Sequence, residues 1–130
     1  MNFNFDWNYV SAGAPYVTIS EKSLSFNSPT VSLLGNPDEV IIGFDKNNEV
    51  IGVKRYDDNE KGKAYKFYGR MKNGWVRVGC KDFINHLSFL TGIDFSSAKR
   101  YIAKYDEKEQ IVYVCVTDND SNKQRDNKND

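Results

Sequence analysis

The sequence is short of the residues on which most active sites depend. Its 130 residues include one histidine, His86, and two cysteines, Cys80 and Cys115, which lack the close spacing of metal ligands. No glycine-rich phosphate loop leads into a helix pattern. We therefore predict no catalytic residues, no metal site and no cofactor. His86 is expected on the buried side of a helix, and both cysteines are expected as buried, reduced thiols.

Long apolar runs are also missing. No segment approaches the ~20 apolar residues of a membrane-spanning helix, and the N-terminus lacks the basic and apolar regions of a signal peptide. We therefore expect a cytoplasmic protein without a membrane partner.

Aromatic residues, by contrast, are plentiful: eight Tyr, eight Phe and two Trp favour strands over helices. We predict a mostly β, β-rich α+β fold with short helices. The expected organisation is one globular domain over 1–117 that begins with an added strand at 3–10. Residues 118–130 include no apolar residue to bury and are predicted to be a disordered tail.

Two helices are expected. "SPTVSLLG" places Pro29 in a first turn that Ser28 can cap, and Gly35 stops it. "KDFINHLSFLTG" places apolar residues at helical spacing and ends at Gly92. Residues 96–104 fit either a helix or a strand.

The hairpin pattern "EVIIGFDKNNEVIGVK" at 39–54 returns as "RYIAKYDEKEQIVYVC" at 100–115. Upstream, "SLSFNSPTV" matches "WVRVGCKDF" in the same order. The second copy follows the first by 52 residues at this strand and by 61 at the hairpin. We predict an internal repeat with units 16–56 and 65–117. The alternative is a chance likeness between alternating strands.

The segment "ISEKSLSFNSPTVSLLGNPDEVIIGFDKNNEVIGVK" resembles the swapped-hairpin domain of AbrB-like transition-state regulators and antitoxins, and its tandem arrangement resembles the MraZ-type subgroup. The resemblance implies two units interlocked in a small β-barrel that binds DNA and regulates transcription. Where that family has arginines near the first strand and its turn, this chain has Lys22 beside Glu21. The second unit is better supplied, with Arg70, Lys72 and Arg77, so we expect it to carry most of the DNA binding that the resemblance implies.

The chain has no net charge, with 18 basic and 18 acidic residues, but residues 54–81 hold nine basic residues against three acidic ones. Within "KGKAYKFYGRMKNGWVRVGCK" the basic residues alternate with aromatics, a combination that suits phosphates and bases. The competing interpretation is two ordinary strands with buried aromatics and a solvated basic face. The predicted nucleic-acid contacts are Lys63, Lys66, Arg70, Lys72, Trp75, Arg77, Lys99 and Arg100.

A second surface is suggested by the alternating N-terminal residues Phe3, Phe5 and Trp7, which either close the fold as an added strand or dock on a protein. Two functions therefore stay open. One is a noncatalytic DNA-binding regulator. The other is a phage or mobile-element accessory protein that binds and inhibits a host protein complex. The sequence also leaves open whether the chain forms a homodimer.

Overall fold

The computed structural model describes residues 13–59 and 61–117; the predicted strand 3–10 and the predicted tail 118–130 lie outside these residues. Within them the chain is mostly β, as predicted. The strands are β1 Tyr16–Ile19, β2 Ser23–Asn27, β3 Glu39–Asp45, β4 Val50–Arg55, β5 Ala64–Lys66, β6 Met71–Lys72, β7 Trp75–Gly79, β8 Lys99–Ile102, β9 Lys104–Asp106 and β10 Ile111–Cys115. The helices are α1 Ser28–Leu33 and α2 Lys81–Thr91, and a 3₁₀ turn spans Tyr68–Arg70.

The strands form two antiparallel sheets of five. The first sheet has the order β6-β7-β2-β1-β8, and the second has the order β5-β3-β4-β10-β9. Apolar side chains from both sheets and both helices form one buried core, which includes Phe26, Ile51, Phe67, Tyr101 and Val114. In the described residues the pairings make two sheets and not a closed barrel. Residues 99–102 and 104–106 are strands, which decides the alternative left open for 96–104.

Helix α1 begins one residue earlier than the sequence pattern indicates, because Asn27 and not Ser28 is its N-cap. The Asn27 Oδ1 accepts from the Thr30 backbone nitrogen at 3.3 Å and from the Tyr16 backbone nitrogen at 2.9 Å. Its Nδ2 donates to the Ala14 carbonyl at 2.9 Å. A serine hydroxyl could not serve the helix and the neighbouring strand together, so the amide is the better cap here.

Helix α2 ends at Gly92, whose φ of 74° is in the left-handed region, as the sequence predicts. Ile84 and Leu87 are buried one turn apart, whereas His86 is exposed. The predicted placement of His86 on the buried side is therefore wrong. Two residues after Ile84, it is rotated by roughly 200° around the helix and faces water. Phe89 is 84% exposed on the same helix.

The central strand pair of each sheet joins the two predicted repeat units. In the first sheet Ser25 of β2 lies opposite Arg77 of β7, and in the second Gly52 of β4 lies opposite Tyr113 of β10. These partners are 52 and 61 residues apart, the same offsets that align the two units in the sequence. Each pair is thus centred on a residue and its own predicted equivalent, as a two-fold relation requires.

The two matching hairpins also share one turn geometry. Asp45 Oδ1 accepts from the backbone nitrogens of Asn47 and Asn48 at 3.1 and 3.2 Å. Asp106 Oδ1 accepts from those of Lys108 and Glu109 at 3.0 and 3.2 Å. The last residue of each turn has positive φ, 56° in Glu49 and 59° in Gln110. The Asp that begins each loop therefore fixes the turn by binding its backbone.

The two units differ in their first strand. In the first unit a single strand, β1, pairs with β2 on one side and with β8 on the other. In the second unit this role is divided, because β5 pairs with β3 in the second sheet and β6 pairs with β7 in the first. Between them the 3₁₀ turn follows Phe67, which is fully buried against Phe26 with ring centroids 5.1 Å apart. The basic segment therefore passes from one sheet to the other.

Candidate nucleic-acid interface

Strand alternation gives the first sheet one core face and one outer face. Side chains such as Val17, Leu24, Phe26 and Val78 are buried in the core, so their neighbours along each strand point the other way. We define the outer face of the first sheet by these outward residues: Tyr16, Thr18, Ser23, Ser25, Asn27, Lys72, Trp75, Arg77, Gly79, Arg100 and Ile102.

One row of this outer face has an arginine at each end. Arg77 pairs with Ser25, Ser25 pairs with Thr18, and Thr18 pairs with Arg100, so the four residues follow one another across four strands. With about 4.8 Å between adjacent strands, the two arginine Cα atoms are roughly 14 Å apart. Because serine and threonine are short, the surface between the guanidinium groups is low and polar.

The neighbouring row carries aromatic residues. Trp75 pairs with Asn27 and is 39% exposed, and Tyr16 pairs with Ile102, which is also 39% exposed. The guanidinium carbon of Arg100 lies 4.5 Å from the Tyr16 ring centroid, a cation–π contact that holds a positive charge over the ring. Lys72 pairs with Trp75 at the edge of the sheet.

The charges of the first sheet have one sign. Its five strands contain Lys72, Arg77, Lys99 and Arg100 and no Asp or Glu. The strands of the second sheet contain residues of both signs: Glu39, Asp45 and Asp106 together with Lys54, Arg55, Lys66 and Lys104. Lys72, Arg77 and Arg100 lie on the outer face, which has no Asp or Glu among its strand residues. A net charge of zero over the whole chain therefore does not exclude a local group of basic residues.

Arg77 is positioned by a buried hydroxyl. Its Nε donates to Ser23 Oγ at 3.1 Å, and Ser23, only 2% exposed, is also within hydrogen-bond distance of Ser20 Oγ at 2.9 Å. The hydrogen bond to Ser23 restrains the orientation of the Arg77 guanidinium group.

The structure brings together part of the predicted set. Lys72, Trp75, Arg77 and Arg100 share the outer face, and Arg70 lies beside it, exposed in the 3₁₀ turn that leads into β6.

Three predicted contacts lie elsewhere. Lys66 is on β5 at the edge of the second sheet, with its Nζ 3.8 Å from Glu39 Oε2. Lys63 precedes β5, and its Nζ lies 5.2 Å from the Tyr65 ring centroid. Lys99 alternates with Arg100 and so points to the other side of β8. There the pKa of Asp94 is lowered, chiefly by hydrogen bonds from Ser96 and to a smaller extent by the charge of Lys99.

The residues predicted from the sequence did not include those that the first unit supplies to the outer face. These residues include Tyr16, Thr18 and Ser25. Their outward orientation follows from strand alternation, but their position depends on the pairing of β2 with β7 and of β1 with β8. The internal repeat was a sequence signal for the pairing of β2 with β7 but not for that of β1 with β8. The predicted protein contacts Phe3, Phe5 and Trp7 lie outside the described residues.

Other candidate chemistry is sparse in residues 13–59 and 61–117. No group of three His, Cys, Asp or Glu there could hold a metal ion. Cys80 is buried, and that burial raises the pKa of its thiol to about 11, so the thiol is protonated at neutral pH. Cys115 is half-buried, in contrast to the prediction of two buried cysteines, and both are free. A cleft of about 420 Å³ has charges of both signs in its lining, including Arg55, Asp57 and Glu109.

Among the described helices, none combines the length and apolar character needed to cross a membrane. No protein-family model, curated protein or solved structure matches this chain. The resemblance of residues 19–54 to the AbrB-like swapped-hairpin domain therefore stays a prediction.

Proposed function

We propose that the protein is a noncatalytic DNA-binding regulator that uses the outer face of the first sheet. The observation that carries this proposal is the convergence of Lys72, Arg77 and Arg100 with two aromatic rings on a sheet whose strands contain no carboxylate. Lysine and arginine neutralise phosphates, and Arg77 is already oriented by Ser23. The surface includes strands from both units, so the contacts are not confined to the second one.

We further propose that the chain is a tandem duplication of an AbrB-like unit. The matched registers of β2 with β7 and of β4 with β10, together with the two equivalent Asp turns, support this relation. In such an arrangement the first unit supplies the polar centre of the surface. The second unit supplies most of its charge.

Binding of a labelled DNA over a salt series tests the proposal. If Lys72, Arg77 and Arg100 each contact one phosphate of a duplex, the slope of log K against log salt is about −2.7. Affinity then falls roughly 40-fold between about 50 and about 200 mM salt. Replacing all three residues by Gln should remove most of the binding and of the slope.

A charge-matched control separates a local contact from the effect of total charge. Lys46, Lys104 and Lys108 are exposed and belong to β9 or to the two hairpin turns. Their replacement by Gln removes the same three charges but leaves the outer face intact, so binding should be retained. Equal losses in both triple variants would contradict the proposed surface, and no binding at low ionic strength would contradict DNA binding.

A second candidate function is binding to a host protein complex, as expected of a phage or mobile-element accessory protein. Phe89 is the residue we would test for this candidate, because at 84% exposure it is the most exposed large apolar side chain in the described residues. The DNA assay distinguishes the two candidate functions, because a protein-binding function predicts no salt-dependent affinity for DNA. It also predicts that Phe89→Ser weakens binding to the partner protein and has no effect on DNA binding.

A further inference from the structure

The outer face of the first sheet carries the aromatic rings of Trp75 and Tyr16 as well as basic residues. These rings help to distinguish which form of DNA the face would bind. Resting on the proposed function, we propose that this face binds single-stranded DNA in preference to duplex DNA. In this arrangement one base stacks on Trp75 and another contacts the Arg100–Tyr16 pair. Arg77 contacts the phosphates, and Lys72, which pairs with Trp75 at the end of the aromatic row, contacts the phosphate next to the stacked base.

The first reason is access to base faces. Trp75 is 39% exposed on β7, next to the edge strand β6, and the Arg100 guanidinium carbon lies 4.5 Å from the Tyr16 ring centroid. In a duplex each base is covered on both sides by its neighbours, so an exposed indole ring meets only base edges or backbone. In a single strand every base offers a π-face, and stacking on an aromatic side chain is strongly favourable.

The second reason is shape. Reading bases in the major groove of a duplex requires an element that enters a groove about 8.5 Å deep, usually a helix or a two-stranded ribbon. The β6–β7 hairpin is the ribbon at this edge, but Trp75 is already paired with Asn27 of β2. Only its turn residues, Asn73 and Gly74, extend past the neighbouring strand. The face is therefore suited to a ligand that lies across it.

The third reason is the division of the face into two rows. The arginine row runs from Arg77 through Ser25 and Thr18 to Arg100. The aromatic row is displaced from the arginine row by two residues along each strand, so the two rows are about 7 Å apart. A single strand crossing the sheet can place phosphates along the first row and bases along the second. The short side chains of Ser25 and Thr18 leave the centre unobstructed, so a flexible strand can follow the surface closely.

Fluorescence provides a direct test of stacking. The chain has two tryptophans, Trp7 and Trp75, so a full-length Trp7→Phe variant reports on Trp75 alone. We would titrate it with a mixed-sequence single strand of about 15 nucleotides and with the corresponding duplex, and measure anisotropy of the labelled DNA in parallel. The expected results are tighter binding of the single strand and quenching of Trp75 fluorescence on binding.

Substitutions then identify the ring. Trp75→Ala should weaken binding of the single strand about 5- to 150-fold, the range associated with loss of one stacked base. Trp75→Phe keeps a ring and should restore most of the affinity. Phe89→Ala removes an aromatic ring that is 84% exposed on helix α2 and should leave DNA binding unchanged. Quenching in the Trp7→Phe variant keeps the test valid even if Trp75→Ala fails to fold.

The outcomes separate the two proposals. Duplex binding that equals or exceeds single-strand binding, without quenching, overturns the single-strand inference but leaves the DNA-binding function standing. Single-strand binding that is unchanged by Trp75→Ala overturns the assignment of stacking to Trp75. Absence of salt-dependent binding to either DNA overturns both proposals.

Discussion

The buried Phe67 ring offers a sharp test of how the basic segment is anchored between the sheets. Phe67 is fully buried and contacts Phe26 edge-to-face, with an interplanar angle of 75°. Truncation to alanine loses about 2–3 kcal/mol of apolar transfer free energy and leaves a cavity that costs about another 1–2 kcal/mol. We therefore expect Phe67→Ala to lower the free energy of unfolding by about 3–5 kcal/mol.

Urea denaturation monitored by circular dichroism measures this change. A protein of this size is stabilised by only about 5–15 kcal/mol, so the midpoint should shift markedly. Phe89→Ala provides the matched control, because the same atoms are removed from a ring that is 84% exposed. Its effect should stay within about 0.5 kcal/mol. A loss below about 1 kcal/mol in Phe67→Ala would refute the assignment of Phe67 to the core.

Three further predictions concern other sites. Because burial raises the Cys80 thiol pKa to about 11, a thiol reagent at pH 8 should modify half-buried Cys115 first and reach Cys80 only after unfolding; fast labelling of both in the native protein would contradict this. Asn27→Ala should cost about 1–2 kcal/mol in urea denaturation, since it removes the α1 cap, and an unchanged midpoint would exclude that role. The pKa of Asp45 is lowered mainly by hydrogen bonds from the side chain and the backbone of Asn48; burial opposes this lowering, and the backbone of Asn47 adds the smallest contribution. The ionised Asp45 should therefore stabilise the fold above pH 3.8, and this stabilisation should be lost as the pH falls through the lower pKa of the folded state. A difference in Tm between the wild type and Asp45→Ala that persists fully at pH 2 would contradict this prediction.

Local sequence signals predicted most of the elements. The polar turns at Asp45 and Asp106, the stop at Gly92 and the helix over Lys81–Thr91 each depend on neighbouring residues, and each is present. Local signals did not identify Asn27 as the N-cap of helix α1. Its side chain is shared between a helix and the strand that begins at Tyr16, and such a bond is invisible to a pattern of adjacent residues.

The candidate site could be predicted only in part, because its members meet through pairing across the chain. A continuous basic segment suggested one surface, but the chain changes sheets at buried Phe67, which separates Lys66 from Lys72. Conversely, Arg77 and Arg100 share a face only because β2 and β1 lie between their strands. The sequence shows which residue types are present, and the sheet order determines which of them lie on the same face.

The pairing of β2 with β7 and of β4 with β10 also constrains how the chain folds. Each sheet takes strands from both units, so the central contact of the first sheet joins Ser25 to Arg77 and that of the second joins Gly52 to Tyr113. Such distant pairings require large loops to close before they stabilise the chain, and domains rich in them fold slowly, in milliseconds to seconds. On the ribosome the first unit therefore emerges with the edges of β2 and β4 unpaired. These edges stay open to other partners until β7 and β10 have been synthesised.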